Sequence, residues 1–136
     1  MKKGIVLAWL VGGALCAVRP VLAHHPFAAE YDINKAVTLT GTLSRMEWVN
    51  PHGWIYMDVK QPNGTVKRWT VETSGPGQMN RRGLRSKDTV DGMPLVIKGY
   101  QHRRDPALVN GRTLVLADGR SFYIGAVGGP NDGADR

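Results

Sequence analysis

Cysteine is almost absent from this chain: of its 136 residues, only Cys16 is a cysteine. A lone cysteine cannot close a disulfide within the chain, and it cannot supply the several thiolates of a structural zinc site. Cys16 also falls in an N-terminal apolar stretch that we predict to be removed, so the mature chain would contain no cysteine. A packed core must then hold the fold, and a cysteine nucleophile is excluded.

The sequence also lacks the common nucleotide-binding and hydrolase motifs. It contains no phosphate-binding loop, no Rossmann glycine pattern and no Gly-x-Ser-x-Gly, and no Ser-His-Asp triad can be assembled from it. Its longest apolar run, residues 4–18, is shorter than the about 20 residues that a membrane-spanning helix needs.

Residues 1–23 have the layout of a secretory signal peptide. Lys2-Lys3 gives a positive start, residues 4–18 are apolar, and Val21-Leu22-Ala23 places small residues at positions −3 and −1 of a cleavage site. Taking 23 residues from 136 leaves 113, and net charge falls from +7 to +4 because Lys2-Lys3 and Arg19 leave. We expect a periplasmic or secreted protein without stable membrane insertion after cleavage; an uncleaved anchor is the alternative.

Alternation of apolar and polar residues indicates β-structure in most of the remaining chain. The turn Asn50-Pro51-His52-Gly53 and the hairpin signal Asn63-Gly64 separate the first three strands. A short helix is predicted over residues 78–84, between the third and fourth strands. The predicted strands cover residues 36–49, 54–61, 66–73, 93–100, 113–117 and 120–124.

This order predicts an all-β fold, a small OB-like, partly open barrel of five to six strands with one short helix. A small β-sandwich is the alternative, although its usual seven strands exceed the number found here. The predicted organisation is a signal peptide (1–23), an N-terminal arm (24–35), the barrel domain (36–124) and a flexible tail (125–136).

All four histidines follow the predicted cleavage site, and one becomes the first residue of the mature chain. There, His24 would offer its α-amine and its ring Nδ1 to one metal ion as a chelate. A second imidazole opposite completes a three-nitrogen site suited to copper(II). His52 is the first candidate for that imidazole, and His25 and His102 are alternates. Copper is favoured over zinc because cysteine and a compact His-x₃-His spacing are both absent.

Aromatic residues around the predicted turn suggest a second interpretation. Tryptophans bracket the turn, and such residues ordinarily pack in a core, but they could also form a surface for a protein partner or a small ligand. The histidines would then be incidental. The residues of this surface are Trp48, Asn50, Trp54, Glu47 and Glu72.

Two further functions are less favoured. An enzyme would have to use Glu47, His52 and Glu72, and the sequence indicates no substrate for it, so we do not expect an enzyme. Nucleic-acid binding fits an OB-like barrel with arginine clusters, but export leads to a compartment poor in nucleic acid. We therefore expect no nucleic-acid partner.

Several of these motifs resemble a family of small secreted bacterial proteins classed as a domain of unknown function. The shared residues are the His-His-Pro-Phe run and the residues after it (24–32), Leu39-Thr40-Gly41-Thr42, the Glu-Trp-Val-Asn-Pro-His-Gly-Trp run (47–54), residues 69–72 and Arg82-Gly83. The resemblance implies an exported OB-like barrel. It implies no activity, so copper binding remains an inference from the residues alone.

Overall fold

The computed structural model describes residues 27–126 and 128–130. The predicted signal peptide, His24 and His25 lie outside the described residues. In chain order the elements are α1 (Phe27–Glu30), β1 (Tyr31–Glu47), β2 (His52–Lys60), β3 (Val66–Ser74), α2 (Pro76–Arg81), a 3₁₀ turn (Ser86–Asp88), β4 (Pro94–His102), β5 (Leu108–Leu116) and β6 (Ser121–Tyr123).

The six strands form one sheet whose ends meet. The long strand β1 pairs antiparallel with both β4 and β2, and the strand order is β3-β2-β1-β4-β5-β6. An additional parallel pairing joins β3 to β5 over three residue pairs, from Thr70↔Leu108 to Glu72↔Asn110. The all-β prediction of a partly open barrel is therefore confirmed, and α2 is the short helix that was predicted between the third and fourth strands.

The barrel is filled by the apolar residues that alternation directs inward. In β2, Gly53, Ile55 and Met57 are buried while the residues between them are half-buried. Removing a large aliphatic side chain from water contributes about 1.5–3 kcal/mol, so this core provides the main stabilising contribution. Its members are Leu39, Leu43, Ile55, Met57, Val71, Met79, Leu84, Leu95, Ile97, Val109, Leu114, Leu116 and Ile124.

Three strands begin earlier than alternation predicts: β2 by two residues, at His52 instead of residue 54, and β1 and β5 by five. β1 begins at Tyr31 instead of residue 36, and the register of its pairing with β4 shifts between Tyr31 and Ala36. β5 begins at Leu108 instead of residue 113. Its early residues include a polar run, 110–112, that is buried, so the pattern of buried and exposed positions there does not follow residue polarity.

Gly99 lies where β4 approaches β5 too closely for a side chain. A Cβ atom at this position would overlap the backbone oxygen of Asn110. The pairing register of β4 and β5 also shifts between Lys98 and Gly99. A glycine in a strand commonly marks such an irregularity.

Truncation of a core residue should destabilise the fold far more than truncation of an exposed one. Ile55 in β2 is 0% exposed, whereas Ile33 in β1 is 53% exposed. We expect Ile55→Ala to lower the free energy of unfolding by about 2–5 kcal/mol, because it leaves a cavity in a packed core. The control Ile33→Ala should change it by less than about 0.5 kcal/mol. Urea unfolding followed by tryptophan fluorescence measures both, and equal losses would contradict the assigned core.

Candidate functional site

A row of polar residues is buried where β3 runs beside β5. Val71 and its register partner Val109 belong to the hydrophobic core. Successive residues of a strand point to opposite faces, so the next pair, Glu72 and Asn110, lies on the outer face of the barrel. Glu72 is nevertheless only 7% exposed and Asn110 only 4%. Other segments of the chain must therefore cover Glu72 and Asn110 from outside the barrel.

The two ends of the described chain form this cover. Tyr31 at the start of β1 is 3% exposed, and Phe27 of α1 stacks on its ring at 5.5 Å between centroids. Between these segments and the barrel lies a cleft of about 50 Å³. That volume suits an ion with a few waters, since pockets for organic ligands hold about 300–1,000 Å³. The cleft is lined by Phe27, Glu30, Tyr31, His52, Glu72, Asn110, Ala126 and Gly129.

The carboxylate of Glu72 is the centre of the polar row. Its Oε2 accepts hydrogen bonds from the Tyr31 hydroxyl at 2.5 Å and from Asn110 Nδ2 at 3.3 Å. Its Oε1 forms a close contact with Nδ1 of His52. Hydrogen bonds to an ionised group are roughly twice as strong as neutral ones, and they offset the cost of burying the charge.

Arg112 extends the row away from His52. This arginine is 5% exposed, and its NH1 donates to Asn110 Oδ1 and to the carbonyl of Ala126, both at 3.4 Å. Its NH2 donates to the Tyr123 hydroxyl and to the carbonyl of Pro130. The guanidinium thus connects the buried polar row to the C-terminal residues that cover it.

Tyr31 is held in its protonated form. Burial is the largest cause that raises the pKa of its hydroxyl, and the hydrogen bond to Glu72 and the negative charge of that carboxylate raise it further. The phenol is therefore a hydrogen-bond donor at neutral pH, and it does not act as a base there.

The contacts of Nδ1 distinguish His52 from His102. In His52, Nδ1 faces the carboxylate of Glu72, so the ring proton belongs on Nδ1 and the lone pair on Nε2. In His102, Nδ1 accepts the backbone N–H groups of Arg104 at 3.2 Å and Asp105 at 2.9 Å, so its proton belongs on Nε2. The side chain of His52 is also 36% exposed. Of the two histidines in the described part of the chain, His52 is therefore the one that lines the cleft and is partly accessible.

The second acidic residue predicted for this region, Glu47, lies elsewhere. In the sheet register Trp54 of β2 stands between Glu47 of β1 and Glu72 of β3. Glu47 forms an ion pair with Arg45 at 2.7 Å and accepts a long hydrogen bond from Tyr56 at 3.4 Å. The structure thus unites His52 with Glu72 and places Glu47 with other partners.

The predicted aromatic surface is divided. Trp48 is half-buried and packs against the hydrophobic core, as tryptophans in small barrels commonly do. Trp54 is half-buried on the outer side of β2. Asn50 is exposed and lines a separate depression with Pro51, Gly75, Gly77, Gln78 and Arg81.

Three buried members of the site were not predicted: Tyr31, Asn110 and Arg112. Tyr31 precedes the predicted first strand, and residues 110–112 read Asn-Gly-Arg, a composition typical of exposed turns. Tyr31 and Asn110 contact Glu72 across 41 and 38 residues of chain, and Arg112 contacts Pro130 across 18, and no local pattern reveals these contacts.

Residues 27–126 and 128–130 contain no group of three or more His, Cys, Asp or Glu side chains arranged to hold a metal ion. In that same part of the chain, no helix is long and apolar enough to span a membrane.

Comparison with known proteins identifies a family but no function. The sequence profile of a family of unknown function, DUF6152, matches residues 13–109. This range includes Tyr31, His52 and Glu72, and it ends just before Asn110. No curated protein matches the chain significantly. The predicted membership in an uncharacterised family is confirmed, and secretion remains a prediction.

Loss of the Tyr31 hydroxyl should destabilise the protein. Tyr31→Phe removes a 2.5 Å donor from a buried carboxylate, and we expect the free energy of unfolding to fall by about 1–3 kcal/mol. Tyr56→Phe is the matched control. The Tyr56 hydroxyl contacts the partly exposed Glu47 at 3.4 Å, so its removal should lower the free energy of unfolding by less. Urea unfolding at neutral pH measures both, and equal losses would argue against a buried Tyr31–Glu72 bond.

Tyr31 should also make stability sensitive to alkaline pH. Its pKa is higher in the folded chain than the ordinary value of about 10, so above that pH the unfolded chain binds fewer protons than the native one. Its contribution is then complete below pH about 10 and is lost as pH rises further. The wild type should lose stability more steeply than Tyr31→Phe between pH about 9 and 11 in urea titrations. Parallel curves would contradict this assignment.

Proposed function

We propose that the protein, which belongs to the family DUF6152, is an exported β-barrel that binds copper(II) through His24 and His52. The family is one of unknown function, so membership implies no activity and the proposal is argued from the geometry of the site. The observation that carries the proposal is the contact between His52 Nδ1 and the buried Glu72 carboxylate. Metal-binding histidines almost always donate their second ring N–H to such a partner.

The start of the described chain lies beside His52. Phe27 lines the same cleft, and a chain of three residues spans at most about 11 Å, so His24 is tethered within that distance of Phe27. Arg103 anchors this region: its backbone N–H donates to the Glu30 carbonyl at 2.8 Å and its Nε to the Ala28 carbonyl at 2.9 Å. The N-terminal chelate therefore has a short path to the cleft.

The donor set favours copper(II). The α-amine and Nδ1 of His24 with Nε2 of His52 would give three nitrogen ligands, and copper(II) favours tetragonal nitrogen ligation. The carboxylates of Glu30 and Glu72 line the cleft and favour a cation electrostatically. The volume of about 50 Å³ accommodates an ion more readily than an organic molecule.

Export is part of the same proposal. The α-amine of His24 exists only when the chain is cut after Ala23, because before cleavage that nitrogen is part of the peptide bond to Ala23. The precursor therefore lacks the chelate, and the complete site forms only in the processed, exported chain.

Copper titration of the processed chain tests the proposal. The protein is recovered from the periplasm, the mass of its N-terminus is checked, and copper(II) is added in a calorimeter with EPR as the second measurement. We expect one copper ion per chain with nitrogen hyperfine structure. His52→Ala should weaken binding at least about tenfold, because it removes one of three nitrogen ligands.

Two controls separate this site from adventitious binding. His102→Ala should leave copper affinity unchanged, because its Nδ1 is already used by the backbone. A chain with one added residue before His24 should lose the amine ligand. An N-terminus other than His24, no copper uptake, or equal losses for His52→Ala and His102→Ala would contradict the proposal.

A further inference from the structure

We propose that Glu72 is a positioning residue, which holds His52 in the tautomer with its proton on Nδ1 and so keeps the lone pair on Nε2. The tautomer can be measured without any metal. Its consequence for copper affinity rests on the proposed function.

Arg112, at the end of the buried row opposite His52, determines the direction of the next hydrogen bond in the row. A guanidinium can only donate, so Arg112 requires the oxygen of the Asn110 amide to face it. The amide nitrogen of Asn110 then points to Glu72 and donates to Oε2. Asn110 is therefore a donor toward the carboxylate, and its amide has no freedom to turn.

The second donor occupies the same carboxylate oxygen. The Tyr31 hydroxyl is 2.5 Å from Oε2, and the carboxylate is its acceptor. Oε2 thus receives two donors, which leaves Oε1 as the oxygen that faces His52. A bare carboxylate oxygen can only accept, so Nδ1 of His52 must carry the proton.

The Glu72 carboxylate therefore determines the tautomer of His52 in addition to supplying an opposite charge. The row begins at the guanidinium of Arg112, which can only donate, and ends at Nε2 of His52, which can only accept. Every group between them has one allowed orientation. Residues of β1, β5 and β3 therefore determine which nitrogen of a β2 side chain is available. Those residues are Tyr31, Asn110, Arg112 and Glu72.

Glu72→Gln tests the direction of the row with almost no change of shape. Tyr31 and Asn110 both donate toward the Oε2 position, so the amide oxygen of the new glutamine should take that place. Its NH₂ group then faces His52 and donates to Nδ1, which moves the imidazole proton to Nε2. The expected result is an inverted tautomer of His52 in the variant.

Long-range ¹H–¹⁵N correlation spectra of the imidazole rings distinguish the two tautomers in metal-free protein, at a pH where the ring is neutral. Wild-type His52 should show the proton on Nδ1, and Glu72→Gln should show it on Nε2. His102 is an internal reference, because its proton should stay on Nε2 in both proteins. Glu47→Gln is the matched control: Glu47 contacts Arg45 and Tyr56, so the His52 pattern should not change.

Copper titrations of the same variants connect the tautomer to the proposed function. Glu72→Gln should weaken copper(II) binding about 10- to 100-fold, the usual effect of losing such a supporting group, and Glu47→Gln should not. Wild-type protein that shows the expected tautomer but binds no copper would remove the proposed function and support the positioning role. A wild-type His52 with its proton on Nε2, or an unchanged tautomer in folded Glu72→Gln, would overturn the positioning role whatever copper does. The tautomer of wild-type His52 is measured without any variant, so it tests the positioning role even if Glu72→Gln folds poorly.

Discussion

The structure depends on one buried negative charge, the carboxylate of Glu72. A carboxylate removed from water costs several kcal/mol unless donors surround it, and a single strand cannot supply those donors. Here they come from β1, β2 and β5, through Tyr31, His52 and Asn110. The burial of this one side chain therefore requires that the start of β1 and the end of the described chain lie over the junction of β3 and β5.

The same junction is the shortest ladder among the strands that close the barrel. β3 and β5 share only three residue pairs, whereas β2 and β3 share nine. Val71 and Val109 seal the inner side of this junction, and Glu72 and Asn110 connect its outer side. Apolar contact inside and hydrogen bonds outside thus act on adjacent residues of the same two strands. This two-sided arrangement compensates for the short parallel ladder that closes the ring.

Sequence patterns predicted most of the fold because the fold is mainly a matter of alternation and turns. The hairpin at Asn63-Gly64, the strands on either side of it and the helix after the third strand all follow from local residue preferences. Alternation along β3 also accounts for the position of Glu72 on the outer face, opposite to that of Val71. What it could not reveal is that this face is covered, because the cover consists of residues far away in the chain, such as Tyr31.

The candidate site was predicted in part for the same reason. His52 was chosen from its place in a predicted turn, although it is the first residue of β2 in the structure. The choice between His52 and His102 required the contacts of each Nδ1, which depend on folded geometry. Glu47 and Glu72 look alike in sequence, because both are acidic residues predicted in strands. Glu72 is buried because the two ends of the described chain, around Tyr31 and Ala126, cover it.

Arg112 contributes to the placement of the His52 proton although it does not contact His52. Arg112 lies at one end of the row and His52 at the other, 60 positions apart in the chain. Because a guanidinium cannot accept a hydrogen bond, it removes the ambiguity of the asparagine amide, and that amide helps to fix the role of each carboxylate oxygen. The carboxylate of Glu72 can only accept, so it requires the same orientation of the amide, and the two ends of the amide agree on one arrangement. The polar composition of this part of β5, which disguised it as a turn in the sequence, is thus the property that makes the far end of the row directional.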